Sequence, residues 1–142
     1  MYCHNRTITD TVVFKMTPIQ SIAFVINLSK PNAQSTAEAL ADIAQAQGKK
    51  TQFITQYPLE IDCLKNIDLC CVIGGDGTLL GVLDASIHCQ TKVLGINIGK
   101  LGFLATYTPN QLIEDFSSIL EGDYSVEERS ILFCQSNTGE TA

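Results

Sequence analysis

The sequence predicts an α/β domain built on a doubly wound, mostly parallel sheet. Three observations carry that expectation. Ser21–Leu28, Asp68–Gly75 and Lys92–Asn97 are almost continuously apolar, as strands buried on both faces should be. Segments with a helical pattern alternate with them, which is how a parallel sheet makes its crossovers. Each run also ends in amide or glycine residues: Asn27, Gly74-Gly75 and Asn97. Polar groups thus collect at one rim, where open α/β sheets bind their ligands.

Taken in order, SIAFVINL (Ser21–Leu28) is rich in β-formers and reads as the first strand. After SKPN, residues Ala33, Ala37, Leu40, Ala41 and Ala44 fall on one helical face, and Gly48 stands just past the helix end. Thr51–Thr55 is a short strand. Tyr57–Ile67 is ambiguous, because Leu59, Cys63 and Ile67 fit either one helical face or the wall of a loop. Asp68–Gly75 is the second buried strand, Thr78–Ile87 reads as helical despite Gly81, and Lys92–Asn97 is the third buried strand. Thr108-Pro109-Asn110-Gln111 forms a capping box with proline at N1, so a helix should run from there through Phe116 and Leu120 to Gly122. Ser125–Gln135 reads as a final strand, followed by a polar, loose SNTGETA. Residues 1–20 read as an N-terminal extension, with nothing in 1–15 to favour order, and 21–123 as the α/β domain.

The chain has 142 residues, of which 45% are hydrophobic and 17% charged, ordinary for a globular protein with its own core. Its net charge of −6 argues against a non-specific nucleic-acid or membrane-surface binder, which would want a basic face. No apolar run is long enough to span a bilayer. The six cysteines (3, 63, 70, 71, 89 and 134) form no Cys-x-x-Cys pair, and His4 and His88 stand at no metal-like spacing from them. Cys70 and Cys71 read as small core hydrophobes, and the set as reduced thiols in a cytoplasmic protein with no metal site.

The stretch CCVIGGDGTLL places one carboxylate, Asp76, among Gly74, Gly75 and Gly77 where a strand meets a helix. Asp76 could serve merely as the N-cap of the helix opening at Gly77. One cap does not need three glycines, however, and these allow close approach of a ligand or another backbone. The loop is not a P-loop, since no Gly-Lys-Ser/Thr follows, and the third position after Gly75-x-Gly77 is Leu80 rather than the glycine of a dinucleotide fingerprint. A carboxylate in such a loop would repel phosphate unless it held Mg²⁺ or took a proton from an attacking hydroxyl. Lys100 reads equally as a point charge for a phosphate and as a solvated loop lysine.

GGDGT, followed about twenty residues on by LGINIGKLGFLA, resembles the NAD kinases, which phosphorylate the adenosine 2′-hydroxyl of NAD. The resemblance implies a Rossmann-like fold of the phosphofructokinase and diacylglycerol kinase superfamily. The second motif separates it from the superfamily's lipid kinases, whose Pro-x-Gly-Thr-x-Asn-Asp element Gly95–Ala105 does not match. It further implies Asp76 as proton acceptor and Gly74, Gly75, Gly77, Thr78 and Asn97 around the nucleotide, with Phe103 and Leu104 beside the adenine. ATP or another phosphoryl donor, Mg²⁺ and NAD are the implied partners, in a homo-oligomer at full length. Phe103 fits core packing as well as adenine stacking. Many members carry a basic residue shortly after GGDGT, where this chain has Gly81. The family's second domain supplies an Asn-Glu or Asn-Asp pair for the ribose, so residues 124–142 read as the first strand of that domain and the chain as an N-terminal fragment. The alternatives are a lipid or sugar kinase of the superfamily and a nucleotide-binding module without turnover.

Overall fold

The computed structural model describes residues 15–100, 102–132 and 134. Its elements are β1 (Ser21–Ile26), α1 (Ala33–Ala46), β2 (Lys50–Ile54), β3 (Leu69–Gly74), α2 (Asp76–Leu80), α3 (Leu83–Cys89), β4 (Lys92–Asn97) and α4 (Pro109–Leu120). The strands form one wholly parallel sheet in the order β2-β1-β3-β4. From β1 the chain winds outward to β2, returns to pair β3 along the other side of β1, and continues to β4. The winding direction therefore reverses between β1 and β3, which makes that junction the topological switch point.

Both faces of the sheet are covered, hence the unbroken apolar character of β1 and β3. On one face Phe24, Ile26, Cys71 and Ile73 pack against Leu40 of α1 and Leu112, Phe116 and Leu120 of α4. Phe24 and Phe116 lie with ring centroids 6.3 Å apart, and each fully buried aromatic contributes about 1.5–3 kcal/mol. On the other face Ala23, Val25, Cys70 and Val72 meet Val82 and Ala85. Leu59, Cys63 and Ile67 also line that face, from a non-helical segment of turns, which resolves their reading in favour of the loop wall. Burial pushes the Cys70 thiol up to about 12, with Cys63 nearby adding to it, and burial with Cys70 beside it also raises Cys71 well above the usual thiol range, so these sulfurs stay protonated in the core.

The ends of both long helices follow the sequence signals. Past α1, Lys49 N–H donates to Ala44 O and Gly48 N–H to Gln45 O, a Schellman motif with Gly48 at positive φ. The Thr108–Gln111 capping box opens α4, and Gly122 closes it at positive φ. Residues just before β1 dock on that end: Met16 N–H donates to Gly122 O and Ile19 N–H to Leu120 O.

Two local expectations are corrected. The helix read over Thr78–Ile87 is two, α2 and α3, interrupted at Gly81–Val82. Gly81 stands beside the Tyr57 ring at that break, where a Cβ would make ordinary van der Waals contact with it at 3.4 Å. The strand expected over Ser125–Gln135 is not formed across 125–132. An extended segment becomes a strand only against a hydrogen-bonding partner, and none stands beside it among the described residues. His4, Cys3, Leu101, Phe133 and the SNTGETA tail lie outside the described residues.

Candidate functional site

At the carboxyl rim a cleft of about 550 Å³ opens over the β1/β3 switch point. The β1–α1 turn contributes Asn27 and Lys30, the glycine loop contributes Gly75 to Thr78, and the segment after β4 contributes Asn97, Ile98, Lys100 and Gly102. The three strand ends singled out in the sequence thus meet in one place.

Asp76 is not the cap of its helix. Gly75 occupies the N-cap position, Asp76 is the first helical residue, and no side-chain cap bond is made. Its carboxylate instead reaches across to the segment after β4. Oδ2 accepts from Phe103 N–H at 2.8 Å, and Oδ1 accepts from Leu104 and Ala105 N–H, each at 3.1 Å. Hydrogen bonding by the Ala105 amide first, then that of Phe103, holds the carboxyl below its usual range; partial desolvation opposes this, and Leu104 adds a smaller contribution. Gly102 makes the approach possible, because a Cβ there would overlap the Asp76 carboxylate. A carboxylate offers about four acceptor sites. Three are filled, and Oδ2 can take one more donor.

A second set of bonds ties the loops together. Asn27 Nδ2 donates to Thr78 Oγ1 at 3.2 Å, while Asn27 Oδ1 accepts from both Ser29 N–H and Ser29 Oγ. Gly74 lies beneath this contact, and a Cβ there would run into Thr78 and come within 3.1 Å of Asn27 Cβ. Asn97, almost fully buried, donates to Lys100 O, and Ile98 N–H donates to Gly74 O at 2.7 Å. The cleft floor is therefore cross-linked from β1 through β3 to β4.

Of the residues expected at the site, Gly75, Asp76, Gly77, Thr78 and Asn97 line the cleft, while Gly74 supports it from below. Phe103 and Leu104 offer backbone donors to Asp76, but their side chains lie outside the cleft lining. Phe103 is 94% exposed, so it is not a core residue. The sequence reading did not include Lys30, Ile98 or Gly102 at the site, and noted Asn27 only as a strand end. For Lys30 the usable signal was its position in the first strand-to-helix turn, beside the switch point. His88 lies elsewhere, exposed, with Nε2 3.0 Å from Asp62 Oδ1.

An open parallel sheet with a glycine-rich strand-to-helix loop and a polar cleft at its switch point defines the class: a doubly wound α/β domain with a cleft at the carboxyl rim, where such sheets bind ligands. The family model of the ATP-NAD kinase N-terminal domain matches residues 6–124, and the chain belongs to the NAD kinase family. A NAD kinase of Clostridium kluyveri is 38% identical over 125 residues, covering 85% of this chain and 44% of that protein. One of Erwinia tasmaniensis is 33% identical over 129 residues, 83% of this chain and 44% of that protein. One of Clostridium perfringens is 53% identical over 72 residues, 50% of this chain and 26% of that protein. The chain thus spans less than half the length of these relatives.

Proposed function

We propose that this chain is the N-terminal part of a cytoplasmic, homo-oligomeric NAD kinase that transfers a phosphoryl group from ATP or another donor to the adenosine 2′-hydroxyl of NAD. The Asp76 carboxylate supports this best. It lines the cleft, is ionised, is fixed by three backbone donors, and has room for one further donor on Oδ2. In this reading that donor is the 2′-hydroxyl. Asp76 orients it for in-line attack and takes its proton as the new P–O bond forms. A carboxyl held below its usual range is a weak base, which suits a loose phosphoryl-transfer transition state in which the proton leaves late.

In this reading a divalent cation arrives with the donor. Among the described residues no group of three or more His, Cys, Asp or Glu could hold an ion, and Asp76 is the one carboxylate lining the cleft. Mg²⁺ is commonly held by one or two carboxylates together with substrate phosphates and water, and would neutralise phosphate charge here. Among the described residues no helix is long and apolar enough to cross a membrane.

The test is NADP formation by the full-length protein with NAD, ATP and Mg²⁺. Turnover of a lipid or hexose in place of NAD would replace this reading with another kinase of the superfamily. Saturable NAD binding without NADP would replace it with a regulatory module. Residues 1–142 alone are expected to make no NADP and to bind NAD no tighter than about millimolar, because a ligand pocket normally encloses most of its ligand and this cleft is one open wall. Micromolar binding by calorimetry would show that this domain completes the site alone.

Gly77 separates ligand effects from folding effects. It is exposed at the cleft, and a Cβ there would meet no atom within 4 Å. Gly77→Ala should leave folding unharmed, or stabilise it by up to about 1 kcal/mol through helix propensity. NAD affinity of the full-length protein should nevertheless fall by roughly tenfold, or about 1.4 kcal/mol. Unchanged affinity by calorimetry would return Gly77 to a turn-shaping role.

A further inference from the structure

We infer that Lys30, on the β1–α1 turn, binds adjacent phosphates of a nucleotide ligand together with Lys100, which follows β4. Among the described residues Lys30 and Lys100 are the two cations lining the cleft, in a chain whose net charge is −6. They come from strands on either side of β3, so they flank the glycine loop. The cleft's carboxylate is turned to three backbone donors rather than to either lysine. Neither ammonium has an ion pair or hydrogen-bond partner among the described residues, whereas Lys49 on another surface faces Glu121.

The Lys30 turn is also held in register with the glycine loop. Lys30 N–H donates to Asn27 O at 3.1 Å, Asn27 Oδ1 takes both Ser29 donors, and Asn27 Nδ2 reaches Thr78 Oγ1. A ligand seated on Gly75–Gly77 is thereby presented with a cation on each side. Two compact point charges so placed suit charge spread over neighbouring phosphates better than a single monoester. The chemistry is a diphosphate or triphosphate chain, which either the phosphoryl donor or the dinucleotide could bring. The assignment of source rests on the kinase reading; the binding itself does not.

Two arms test this. In the first, the ¹⁵N-labelled 142-residue chain is titrated with inorganic tripolyphosphate. Amide shifts should centre on Asn27–Lys30 and Gly75–Thr78. Lys30→Ala should weaken binding roughly three- to fivefold, the scale of one exposed charge contact. Lys30→Arg should retain it, and Lys65→Ala, at an exposed lysine outside the cleft lining, should change nothing. Equal weakening by Lys65→Ala, or an unaffected Lys30→Ala, overturns the site. In the second arm, the full-length Lys30→Ala protein is assayed for KM. A rise for ATP assigns the phosphates to the donor and a rise for NAD assigns them to the acceptor. No rise for either overturns the assignment. A wild-type protein that makes no NADP would defeat the kinase reading while leaving the tripolyphosphate result standing.

Discussion

Asp76→Asn in the full-length protein should lower kcat by roughly 10²–10⁴, the range for removing a positioned general base. It should also loosen the segment after β4. Asparagine has one carbonyl oxygen where aspartate offers two, and its amide donors would face the N–H groups of Phe103, Leu104 and Ala105. Hydrogen exchange at those three amides should quicken by about tenfold or more as the local opening free energy falls. Near-normal turnover would remove Asp76 from the chemistry. Lost turnover with unchanged exchange would remove it from the loop. The pH dependence follows from the lowered carboxyl value. Its stabilisation is complete above the unfolded-state value and is lost as pH falls through the folded one. The melting temperatures of wild type and Asp76→Asn should therefore converge on acidification below about pH 4, the ordinary aspartate value. A gap that persists unchanged to lower pH would show that the carboxylate's charge is not what holds the segment.

Gly102→Ala should be nearly as damaging, although it adds one methyl group to a loop. The new Cβ would overlap the Asp76 carboxylate, lying only 2.6 Å from its Cγ. Either the carboxylate leaves its three donors or the segment shifts, and a displacement of about 1 Å can cost about 10² in rate. The expected result is a fall of about that size in kcat/KM, with faster amide exchange at Phe103–Ala105. Gly77→Ala, at a glycine with open space around it, should leave that exchange unchanged. Wild-type kcat/KM in Gly102→Ala would show that the Asp76 contact is not needed in the working enzyme.

Much of the fold was legible because it rests on local rules. Continuous apolar runs marked β1, β3 and β4 as strands covered on both faces. Thr108–Gln111 and Gly48 marked helix ends whose hydrogen bonds are made within a few residues of the chain. The convergence of Asn27, the glycine loop and Asn97 was readable too, since a parallel sheet brings its strand ends to one rim whatever fills the core.

What stayed hidden depends on contacts between residues distant in sequence. Asp76 before a helix reads as a cap, because Asp is common there; only the structure brings it to amides twenty-seven to twenty-nine residues later. Gly102 reads as a turn glycine until its neighbour is seen to be that carboxylate. The break at Gly81 lies beside the ring of Tyr57, and 125–132 of the strand read over Ser125–Gln135 are unpaired here because pairing is a property of two segments. By itself the sequence determined which segments are buried, where the long helices end and which chemical groups reach the rim, because burial pattern and capping act over a few residues. Tertiary structure alone decided which partner each group takes there, because a carboxylate or a lysine ammonium is directed by the donors and charges that folding sets beside it.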